Sequence, residues 1–132
     1  MTDRLEINNK NIPINKFSKY LFMKDFFIDY KVKKILRLRD DIKTKQKWLS
    51  QGFEWGEVSN VCGIINQYCF WPNNLFWPED ELLYILRSYS SSLDGVSALM
   101  KLEKVYSIEL PDFNLTNPNL ILLISILLRR RK

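Results

Sequence analysis

The chain has 132 residues, 46% of them hydrophobic and 14% aromatic, with a formal net charge of +5 and no histidine. That composition is too apolar for a disordered chain and suits one small domain, with or without an extension. Without histidine there is no His-based triad, no common His-containing zinc site and no usual neutral-pH general base, so the expectation is a non-enzyme with no catalytic residue and no metal.

The charge is uneven. Residues 1–55 hold 13 Lys/Arg against 7 Asp/Glu, and residues 56–132 hold 7 against 8, four of those seven being the terminal Arg129, Arg130, Arg131 and Lys132. A basic first part is thus joined to an acidic second part with a basic tail.

In chain order, residues 1–15 are polar and Asn-rich with a proline at 13, which predicts a loose start. The aromatic-rich stretch 17–30 is compatible with helix or strand. From about Ile28 to Ser50 the pattern predicts one helix, with Val32, Ile35, Leu36, Ile42 and Leu49 on one side, lysines elsewhere and Gly52 as the stop. "GFEWG" reads as a connector, so a boundary is expected near residue 55: 1–55 as a basic N-terminal extension, helical from about residue 28, and 56–132 as a helical domain.

Val58, Val61, Cys62 and Ile65 recur at the spacing of an amphipathic helix over 57–70. Cys62 and Cys69 are the only cysteines; on one helix their Cα atoms would lie roughly 10 Å apart, beyond disulfide reach. They are read as buried thiols of a cytoplasmic protein. "WPNNLFWPED" predicts a long ordered loop carrying large aromatics, then a short helix over "EDELLYILRS" with Pro78 at its first position. Glu79, Asp80 and Glu81 are read as acids complementing that helix dipole rather than as a metal site. Trp55, Trp71, Phe76 and Trp77 are read as core and loop cover.

Ser91 and Asp94 have the S-x-x-D spacing of a capping box, with Leu93, Val96, Leu99 and Met100 as the apolar face of the helix it starts. Asn117 is expected to cap a last helix with Pro118 at its first position. The run "LILLISILL" over 120–128 is far shorter than the roughly 20 residues of a membrane span, and reads as a buried helix closed by a basic turn. "MTDRLEINNK" lacks the apolar core of a secretory signal, so neither a signal nor a transmembrane segment is expected.

The stretch "SSLDGVSALMKLEKVYSIELPD" resembles the segment around the prosthetic-group serine of acyl carrier proteins, through Ser92, Leu93, Asp94, Val96, Leu99, Leu102, Glu103, Ile108, Glu109, Leu110, Pro111 and Asp112. The spacing is similar too: a first helix starting near Glu57, the serine about 35 residues later, and a final helix soon after Pro111. The resemblance covers 56–132 only. It implies a four-helix bundle in which Ser92 bears 4′-phosphopantetheine, with an acyl group held as a thioester and delivered to acyl-transfer or biosynthetic enzymes. Ser91, Leu93, Asp94, Val96 and Met100 would be the flanking recognition residues.

The expected fold is therefore all-α, a small four-helix acyl-carrier-like bundle with an N-terminal helical extension. Two other functional readings stand beside it. Ser91 where the family has an acid, and a neutral balance from Asp94 to Ser107, suit a carrier-like fold without prosthetic group, such as an immunity or antitoxin-type protein neutralising a toxin. The basic stretch 31–47 raises nucleic acid as a partner, disfavoured because Asp40 and Asp41 interrupt it; it is read as a solvated face, or as a surface lying against the acidic part.

Overall fold

A computed structural model describes Ile14 and residues 25–87, 93–110 and 118–129. The architecture is all-α: α1 (Asp25–Leu38), α2 (Asp41–Ser50), α3 (Trp55–Cys69), the single turn α4 (Leu82–Ile85), α5 (Asp94–Tyr106) and α6 (Leu120–Ile124), which runs on as a π-helical turn over Ser125–Arg129. Among the described residues the only β pairing is an isolated bridge between Glu81 and Asn119. No described helix is long and apolar enough to cross a membrane.

The helix expected from Ile28 to Ser50 is two helices. Asp40 breaks it by adopting an extended backbone and accepting the Lys43 N–H on its side chain, which makes it the N-cap of α2. The break resets the helical phase. Val32, Ile35 and Leu36 are buried as expected, and Ile28 with them, but on α2 the buried positions are Thr44 and Trp48, whereas Ile42 and Leu49 stand 64% and 67% exposed.

Gly52 does stop α2. Its φ of 88° lies in the left-handed region that glycine enters without strain. The Gly52 N–H donates to Leu49 and the Phe53 N–H to Trp48, the paired bonds of a Schellman motif. Phe53 then packs edge-on to Trp48, with ring centroids 6.0 Å apart.

α3 buries Val58, Val61, Cys62, Ile65 and Cys69 along one stripe. The loop after it is fixed by side chains. Asn66 donates to the Trp71 carbonyl and to Asn74, and its own oxygen accepts the Trp71 N–H. The three buried indoles each find an acceptor: Trp48 on Phe76 O, Trp71 on Ile85 O and Trp77 on Thr44 Oγ1. Trp71, Phe76 and Trp77 are all buried, as expected of core and loop cover.

Pro78 precedes the short helix rather than opening it; α4 begins at Leu82 with Glu81 in the cap position. Nor does Pro118 open the last helix. Its carbonyl accepts the Leu82 N–H, and Asn119 takes the cap position before Leu120. Asn117 lies outside the described residues. Leu120, Leu123, Ile124, Leu127 and Leu128 are buried, as the apolar run predicts.

One hydrophobic cluster takes in Ile28, Leu36, Trp48 and Phe53 together with Val61, Phe76, Leu102 and Leu123, so the position expected as a boundary, near 55, falls inside a shared core. Ion pairs cross the same position: Arg39–Asp80, Lys47–Glu79 and Arg87–Asp29. The dipole role expected for Glu79–Glu81 misses what Asp80 does. Its carboxylate is wholly buried, bonded by Arg39 and by the backbone N–H groups of Ile14 and Trp77.

Candidate docking helix and attachment serine

α5 packs antiparallel to α3, the most extensive helix pairing among the described residues. Antiparallel order follows from the neighbours, since Ile64 shares a groove with Val105 and Tyr106, and Tyr68 shares one with Ser97 and Met100. The buried face of α5 is Gly95, Ala98 and Leu102. Small residues at the first two of these positions let the helix approach closely. A Cβ on Gly95 would stand 2.2 Å from the Leu86 carbonyl oxygen, so the start of α5 lies directly on the backbone at the end of α4.

That approach turns the rest of the helix outward. Leu93, Val96 and Met100 are 71%, 53% and 63% exposed, and their spacing puts them in one row. The apolar face expected over Leu93, Val96, Leu99 and Met100 is thus not a core face: only Leu99 packs against the core, and the other three form an exposed ridge.

Of the residues carrying the family resemblance, Leu99, Leu102, Ile108 and Leu110 belong to the core or pack on it. Glu103 accepts the Leu110 N–H at 2.7 Å and ties the segment after the helix back to it. Asp94 is the first helical residue, where its carboxylate complements the dipole.

Ser91 and Ser92 lie outside the described residues, as do Pro111 and Asp112. What precedes and follows the serines is fixed. On one side Arg87 donates to the Cys69 carbonyl, pairs with Asp29 and lies 3.9 Å over the Trp71 ring. On the other, Leu93 occupies the cap position of α5 and bears no side-chain acceptor. The capping role expected of Ser91 falls outside the described residues.

Cys62 and Cys69 are free and buried. Burial pushes the Cys62 thiol far up and the Cys69 thiol up to about 12, which removes both from nucleophilic chemistry near neutral pH.

The residues that resemblance did not single out are Ile64 and Tyr68 on α3 and Lys101 and Lys104 on α5. The available signal was Ile64 and Tyr68 at four-residue spacing, off the stripe that α3 buries. Compared with known family models, curated proteins and solved structures, the chain has no match. Fold and site together define a small all-α bundle that presents an exposed apolar ridge along α5.

Proposed function

We propose that the chain is an acyl carrier-like protein that holds an acyl group on 4′-phosphopantetheine attached to Ser92 and presents it to partner enzymes. One observation carries the reading. Leu93, Val96 and Met100 stand in an exposed row directly after Ser92, on a helix whose other face is buried. Leaving three large apolar side chains in water along one helix is unfavourable for an isolated domain and marks a surface that meets something.

The residues present fit the group. The exposure of Leu93 supports solvent access for an arm attached to its neighbour, and the positive end of the α5 helix dipole favours a phosphate there. When bound, the prosthetic group supplies the thiol that carries the acyl chain as a thioester. The chain's own part is binding and delivery: α5 orients the attachment point and its ridge docks the enzyme that performs the transfer.

The helix order supports the same reading: a long first helix (α3), a long loop, a helix following the serine (α5), and a last helix (α6). The test is co-expression with a broad-specificity phosphopantetheinyl transferase and measurement of intact mass. Gain of one prosthetic group by the parent and none by Ser92→Ala is expected.

The second reading, a carrier-like binding module without prosthetic group that neutralises a toxin, is favoured by Ser91 standing where the family has an acid. It uses the same ridge. An unmodified chain purified with one stoichiometric protein partner that it inhibits would select it over the first.

A further inference from the structure

The seam between α3 and α5 is grooved along its outer side. One groove, about 400 Å³, is lined by Tyr68, Ser97, Met100, Lys101 and Lys104, and a second, about 640 Å³, by Asn60, Ile64, Val105, Tyr106 and Ser107. Asn60, Ile64 and Tyr68 follow one another at four-residue spacing, as do Ser97, Lys101 and Val105, so the two grooves lie on one face of the helix pair. Such a channel between antiparallel helices has the shape that accepts another helix.

Its charge is one-sided. Between residues 56 and 128 there are only three basic residues, Arg87, Lys101 and Lys104, against eight acidic ones. Arg87 is committed to Asp29, Cys69 and Trp71, and the other two line the groove. Among the described residues no carboxylate lines either groove. The two acids of α5 are placed elsewhere, Glu103 on the Leu110 N–H and Asp94 at the helix start.

We propose that this groove receives an acidic amphipathic helix of a protein partner, its apolar side on Ile64, Tyr68, Met100 and Val105 and its carboxylates facing Lys101 and Lys104. The inference rests on the carrier-like reading for α5 as the docking helix, while the sign of the groove stands on its own. Acyl carrier proteins, which the segment resembles, present an acidic helix to basic patches. Here the helix is neutral overall and the charges lining the groove are Lys101 and Lys104, so the attraction that draws enzymes to acidic carriers is missing and a partner bearing carboxylates is favoured.

The test is selection of a displayed library of amphipathic helices, charged positions randomised among Glu, Gln and Lys, against the full-length Ser92→Ala chain. Enrichment of Glu beside the apolar stripe is expected, with binding at least about tenfold weaker to Lys101→Glu/Lys104→Glu and to Met100→Ser. The charge-reversed chain should select Lys-flanked helices instead. Lys101→Gln/Lys104→Gln, with an unchanged thermal melt, should give an intermediate loss.

Helices with no charge preference, helices that bind the reversed chain equally well, or no enrichment at all would overturn the proposal. So would Lys101- and Lys104-dependent binding to phosphatidylserine vesicles in preference to any helix, or dimerisation abolished by Met100→Ser. Because Ser92→Ala cannot be modified, this result is independent of the mass measurement: either claim can fail while the other stands.

Discussion

Arg39 and Asp80 meet as a fully buried ion pair at 2.6 Å, joining the hinge between α1 and α2 to the turn before α4. Both Asp80 oxygens are occupied, by Arg39, the Ile14 N–H and the Trp77 N–H, and the guanidinium lies 4.1 Å over the Trp77 ring. A charge pair taken out of water gains little net stability, but removing one member leaves the other buried and uncompensated. Asp80→Ala is expected to lower stability by about 3–5 kcal/mol, read as a lower urea midpoint. Arg39→Met/Asp80→Leu should lose less than Asp80→Ala alone, because it strands no charge.

The same substitution is expected to have opposite signs at two glycines. Gly95→Ala forces a Cβ onto the Leu86 carbonyl, and should destabilise by about 1–3 kcal/mol as overpacking does. At Gly63, within α3, a Cβ meets only Asn74 at 3.9 Å. Gly63→Ala should therefore stabilise by about 0.5–1 kcal/mol through helix propensity. Thermal melts of the two variants check both.

Polar replacement of the α5 ridge should leave the fold intact. Val96→Ser and Met100→Ser are expected to change stability by under about 0.5 kcal/mol each, since both residues are more than half exposed. Leu102→Ala, on the buried face of the same helix, should cost about 2–5 kcal/mol. If the ridge variants unfold as readily as Leu102→Ala, the ridge is a packing surface.

Both thiols are expected to react with a disulfide reagent only as fast as the chain opens. The folded Cys69 thiol titrates near 12 rather than its ordinary value near 9.0, because burial disfavours the thiolate. In the unfolded chain the proton leaves earlier, so the unfolded state binds fewer protons across that window and stability falls as pH rises from about 9 to 12. The stabilising contribution is fully present below that window. Cys69→Ala should show a shallower loss of stability between those pH values than the parent, and rapid labelling of the native chain at neutral pH would contradict the burial.

Much of this was legible in the sequence where local chemistry decides. The stripe of α3 and the stop at Gly52 follow from spacing and from a glycine at a helix end that needs positive φ. Ile42 and Leu49 were misplaced because Asp40 reads equally as an interruption of a basic face and as a cap. Only its bond to Lys43 makes it a break that rephases the next helix. Asp80 was illegible for a different reason: its partner Arg39 is 41 positions away, and no periodicity connects them. At the candidate site, resemblance picked out Leu93, Val96 and Met100, but their outward orientation depends on Gly95 seating against Leu86, a contact between elements.

The central claim is that Ser92 is an attachment point, and intact mass after co-expression with a phosphopantetheinyl transferase tests it most directly. The account predicts a gain of one 4′-phosphopantetheinyl group on the parent chain, lost in Ser92→Ala and retained in Ser91→Ala. A parent mass that never increases, or a Ser92→Ala chain that is still modified, would contradict it.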